Sequence, residues 1–184
     1  GEDIDRQLFL QEDIQELVFD DSVDTLLSTA PDFPKVSLLG QRPAKNCNMY
    51  LAPKIPTKKL NNGISNDRFR VNGMFKETDV LALLDEKTAI FAPKNGLMIT
   101  NMGIFWRGNW QYGGLPWRIG DSSMTGVGIL DGPMGTKSLA VVIDDEFILP
   151  IGGLGAVYEP EMEYIAALMS GMMKIANEQY YSSK

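Results

Sequence analysis

The chain has no histidine among its 184 residues, and Cys47 is its only cysteine. The side chains behind most acid–base, thiolate, zinc and haem chemistry at neutral pH are thereby almost removed. A single thiol also excludes an internal disulfide framework, which favours a reducing, cytoplasmic setting. Long hydrophobic runs are missing too. The longest aliphatic stretches, Val80–Leu84 and Leu139–Ile143, fall far short of the ~20 residues that cross a bilayer, so no stable membrane insertion is expected. Basic residues never run longer than Lys58-Lys59, which gives no dense nucleic-acid patch. The chain opens on Gly1-Glu2 instead of Met, as expected of a processed or truncated product.

What is present is a composition of 44% apolar and 22% charged residues, ordinary for a globular protein with one domain and an appendage. The net charge of −7 conceals opposed blocks. Residues 1–24 hold nine acids against Arg6, and residues 35–76 hold nine bases against Asp67. The two blocks are expected to neutralise one another within the fold or between subunits, each exposed pair contributing about 0–1 kcal/mol.

Three segments follow. Residues 1–30 form an acidic helical head, with Leu10, Ile14, Leu17 and Val18 at helical spacing and Asp21 or Ser22 capping a second helix through Val23, Leu26 and Leu27. Residues 31–56 hold half of the ten prolines and read as an extended arm. Residues 57–184 read as the main domain, opening on a helix from Thr57 through Leu60 and Ile64. Short β-branched and aromatic segments then succeed one another: 80–84, 89–92, 97–100, 103–107, 115–119, 126–130, 138–143 and 147–150. Turns are expected at Lys94-Asn95-Gly96, Asn101-Met102-Gly103, Gly108-Asn109 and Asp144-Asp145-Glu146, and Pro116 belongs at a sheet edge or strand end. A long helix closes the chain from about Glu159, with its apolar stripe on Met162, Ile165, Met169, Met172, Ala176 and Tyr180.

This α+β plan resembles the pleckstrin-homology-like (PH-like) fold, a partly closed antiparallel barrel or sandwich of about seven strands with one C-terminal helix. Val80–Leu84-Asp85, Thr88, Lys94-Asn95-Gly96, Leu97–Thr100 and Gly103-Ile104-Phe105-Trp106 are similar to the recurring run of the short bacterial PH-like domains. Ala92-Pro93 departs from that run, which usually has Gly before a small residue. The resemblance spans roughly residues 58–180 and implies a binding or assembly module without catalysis, cofactor or particular ligand. The first strand-to-strand loop, Asp85-Glu86-Lys87-Thr88, is half acidic and opposes an inositol phosphate.

Other motifs have plainer readings. Gly152-Gly153-Leu154-Gly155 lies between strand and helix like a phosphate loop but lacks the Gly-Lys-Ser/Thr ending, so it reads as a tight turn. S-x-x-K does not occur, and side chains in Asp144-Asp145-Glu146 diverge in a hairpin. No catalytic residue, cofactor or metal is expected. Trp106, Arg107, Trp110, Tyr112, Trp117 and Arg118 are the candidate partner-binding residues, because Trp, Tyr and Arg dominate binding hot spots, while ring packing inside the core is the plainer alternative. The expected function is protein–protein contact or self-association, without nucleic acid and with no identified small molecule. A small-molecule or lipid-binding barrel is the second reading, and a carboxylate-dependent enzyme the third.

Overall fold

Apolar segments punctuated by turn residues form strands wherever the chain is described. The computed structural model describes residues 13–29, 47–65, 68–86, 95–108, 112–132, 137–151 and 159–184. The first sheet holds β1 (Cys47–Leu51), β2 (Val80–Glu86), β3 (Gly96–Thr100), β4 (Gly103–Arg107) and β5 (Tyr112–Pro116), in that spatial order. The second holds β6 (Arg118–Ile119), β7 (Ser122–Asp131), β8 (Lys137–Ile143) and β9 (Phe147–Pro150), again in chain order. Every strand pairing among the described residues is antiparallel. The α-helices among the described residues are α1 (Asp21–Thr29), α2 (Thr57–Ser65) and α3 (Glu159–Ser182).

The sheets stay separate, which corrects the expected partly closed barrel. The chain changes sheet at Pro116-Trp117. Pro116 has no N–H to extend a ladder, and the Trp117 N–H donates to the Met102 carbonyl at 3.0 Å. The expected single strand 115–119 is thereby split into β5 and β6. The described strands number nine against about seven expected, partly because the end of the proline-rich arm pairs with β2 as β1. Pro116 does end an edge strand, as its chemistry requires.

The first sheet is buried on both faces, which explains the unbroken apolar run of β2. Leu81, Leu84, Leu97, Ile99, Ile104 and Trp106 face the larger core with the second sheet and α3. Leu83, Met98 and Phe105 face a smaller core roofed by Leu60, Phe69, Val71 and Phe75. The α3 stripe is buried at Met162, Ile165, Met169, Met172 and Ala176, while Tyr180 is half-buried. Full burial of such a side chain is worth about 1.5–3 kcal/mol, so the stripe anchors α3.

Local signals were overruled at the head. Residues 14–18 are not helical: Ile14 bridges Ile119, the Gln15 N–H donates to the Arg118 carbonyl at 3.0 Å, and the Leu17 N–H to that of Asn101 at 2.8 Å. These long-range backbone bonds satisfy the chain that a helix would otherwise have satisfied. α1 is capped by Asp20, not Asp21 or Ser22, its Oδ1 accepting the Ser22 N–H at 3.0 Å. The head then lies on α3. Gln15 Nε2 donates to the Ala176 carbonyl at 2.9 Å, and Gln179 exchanges hydrogen bonds with both backbone groups of Val18. Two of its carboxylates meet side-chain amides: Glu16 accepts from Asn101, and Asp20 from Gln179.

Turn chemistry was mixed. Asn101-Met102 joins β3 to β4 as expected, with Thr100 Oγ1 accepting the N–H groups of Met102 and Gly103. Asp144 and Asp145 both take positive φ, and the Glu146 N–H donates to the Ile143 carbonyl at 3.1 Å, which makes a type I′ turn. Asn95-Gly96 is not a two-residue hairpin loop. Gly96 already pairs with Asp85 inside the β2–β3 ladder, so the connection spans residues 87–95. The expected strand 89–92, the Asn109 turn position, residues 31–46 of the arm and the Gly152–Gly155 turn lie outside the described residues.

Candidate interaction surface

The six residues singled out by composition divide into three places. Trp106 and Trp117 belong to the larger core; Trp117 is 1% exposed and donates Nε1–H to the Thr100 carbonyl at 2.9 Å. Arg107 and Tyr112 are cross-strand partners on the opposite face of the first sheet, both half-buried. Arg118, 6% exposed, lies under the end of α3, its guanidinium 3.9 Å from the Tyr180 ring centroid and its Nη2 donating to Asn177 Oδ1 at 3.0 Å. Trp110 is outside the described residues. The sequence brought these residues together by proximity in the chain, but β4, β5 and β6 point them in different directions.

Around Arg107 and Tyr112 lies a cation-rich end of the first sheet. Arg70, held at φ 57, sets its guanidinium 3.9 Å from the Tyr112 centroid, and Arg107 lies 4.7 Å from the same ring. Beside them Arg68 is buried against Asp85 at 2.8 Å and donates to the Asn95 carbonyl at 2.7 Å. Asp85 also takes Lys59 at 2.5 Å. Burial pulls the Arg68 guanidinium below its ordinary value, against the opposing pull of Asp85. Gly96 is required here, since a Cβ would sit 2.3 Å from the Leu84 carbonyl and 2.6 Å from Arg68. The cluster is a buried clamp joining α2, β2 and the segment before β3.

Polar chemistry elsewhere is tied into turns. Asp144 accepts the Ser123 N–H at 2.9 Å and the Ser122 hydroxyl at 2.8 Å, which holds its carboxyl below the usual range. Among the described residues no group of three His, Cys, Asp or Glu side chains gathers as a metal site would. No helix among them is long and apolar enough to cross a membrane. A groove of about 540 Å³ between Thr125 and the α3 residues Met173, Asn177 and Tyr181 carries Lys174 and Glu178 together, so its rim has no single charge preference.

Sequence reasoning missed the most exposed apolar strand. Phe147 is 60% and Ile148 53% exposed on β9, the edge of the second sheet, and Leu130 on β7 is 37% exposed. The signal was available. Phe147-Ile148-Leu149-Pro150 has no polar residue at alternate positions, so a strand with only one buried face must present apolar groups to solvent. No protein-family model, curated protein or solved structure matches the chain.

Proposed function

We propose that this chain is a non-catalytic PH-like module that works through protein–protein contacts. The observation that carries the reading is the apolar edge strand β9, which presents Phe147 and Ile148, both more than half exposed, to solvent. The PH-like assignment rests on two antiparallel meanders in succession, β2 to β5 and β7 to β9, followed by one helix packed against the second sheet. The absence of histidine from the whole sequence speaks for a binding role over general acid–base catalysis. Packing between the second sheet and α3 supports it too, because Leu139 and Val141 of β8 and Ile165 and Met169 of α3 are buried together in the larger core.

Native mass spectrometry of the chain purified from its own host tests this. Protein complexes without a stoichiometric small molecule are expected. A co-purifying small ligand and no protein partner would overturn the reading in favour of a ligand-binding module.

A further inference from the structure

The strand β9 uses one edge to pair with β8, in the register Val142 to Ile148 and Ile143 to Phe147. Among the described residues no strand pairs with its other edge. Alternation then divides the second sheet into two faces. Val127, Ile129, Leu139, Val141 and Leu149 lie on the inner face, against the larger core. The outer face is formed by Gly126, Gly128 and Leu130 of β7, Ser138, Ala140 and Val142 of β8, and Ile148 and Pro150 of β9. None of these described residues is charged. A Cβ at Gly128 would meet nothing within 4 Å, so the face is open at that position, while Ala140 beside it is buried.

We propose that β9 pairs antiparallel with β9 of a second copy of this chain, with Ile148 opposite Ile148 of the other copy, so that one sheet runs through both. The inference rests on the protein–protein reading above and names the partner. Symmetry restricts the register. A two-fold axis perpendicular to the sheet keeps each residue on its own face, so a strand residue must oppose its own counterpart. Centring on Ile148 pairs the whole of Phe147–Leu149, sets each Phe147 beside the other copy's Leu149 on the inner face, and joins the two outer faces through Ile148. Every new side-chain contact between the two Phe147–Leu149 segments is apolar on apolar.

Charge selects the direction and the occupant. The turn Asp144-Asp145-Glu146 is exposed and acidic, and the chain carries −7 overall. A parallel pair would put the two acidic turns about 5 Å apart. The antiparallel register places Glu146 opposite Pro150, which separates the two Glu146 residues by four strand positions, about 13 Å. That exceeds the Debye length of about 8 Å at physiological salt. A partner selected by charge would find nothing to pair with on the outer face, whereas a second copy brings the same uncharged surface.

Analytical ultracentrifugation of the full chain over a concentration series, with cross-linking in a Cys47→Ser background, tests the proposal. A concentration-dependent dimer is expected, and Ile148→Lys, at a position exposed enough to leave the melting curve unchanged, should weaken it at least tenfold. Directly opposed residues in an antiparallel pair have Cα atoms about 4.5–5.5 Å apart, within disulfide reach, so Ile148→Cys should cross-link on mild oxidation. Leu130→Cys, on the same face but two strands away, should not. A monomer at every concentration, a dimer indifferent to Ile148→Lys, or equal cross-linking at position 130 would each overturn the proposal. A monomer that still co-purifies with a different protein defeats this inference and leaves the functional reading standing.

Discussion

The indole of Trp106 lies flat on Gly113, its cross-strand partner, so closely that a Cβ at 113 would fall 2.0 Å from the ring. The ring thereby covers backbone that glycine leaves bare, and β4 is locked to the edge strand β5. Gly113→Ala should cost about 1–3 kcal/mol through overpacking. Chemical denaturation checks it, and an unchanged midpoint would show that Trp106 can swing aside without loss.

Asp85 neutralises both Arg68 and Lys59, and Arg68 has little access to water. Removing the carboxylate takes its counter-charge away from a buried guanidinium. Asp85→Ala is expected to destabilise by about 3–5 kcal/mol, more than Lys59→Ala, because Lys59 is a third exposed and can turn to solvent. Equal losses in thermal melts of the two variants would contradict this ordering.

Arg107 and Arg118 looked equivalent in the sequence and are not so in the fold. Arg118→Ala should lose about 1–3 kcal/mol, combining the Tyr180 ring contact and the Asn177 hydrogen bond. Arg107→Ala removes a half-buried guanidinium stacked on one ring and should cost about 1 kcal/mol or less. The melting temperatures of the two variants decide whether Arg118 is a structural residue.

The hairpin after β8 supplies a pH test. Asp144 is held below its ordinary value of 3.8 by the Ser123 N–H and then the Ser122 hydroxyl. A depressed folded-state value means the stabilisation is present above the unfolded value and is lost as pH falls through the folded one. Asp144→Asn keeps an acceptor and tolerates the positive φ, so it isolates the charge. The stability gap between parent and variant should shrink as pH drops from 5 to below 3.8; a gap that is constant over that range would show that the carboxylate charge contributes nothing there.

Local chemistry alone determined much of this protein. The α3 stripe follows from spacing, the strands 97–100 and 103–107 from their residue types, the Asn101-Met102 turn from its composition, and the edge position of Pro116 from a missing donor. Each depends on neighbours a few residues apart in the chain. Tertiary structure decided the rest. Ile14–Val18 had helical spacing, yet backbone partners at Ile119, Arg118 and Asn101 drew it into extended form. Asn95-Gly96 had hairpin chemistry, but a clamp of Arg68 and Asp85 placed Gly96 inside the ladder. Trp117 and Arg118 had the composition of a binding patch and became core, while Phe147 and Ile148 had the composition of core and became surface. Which edge or face stays open is set by what packs on it from 20 to 160 residues away, and no local pattern encodes that distance.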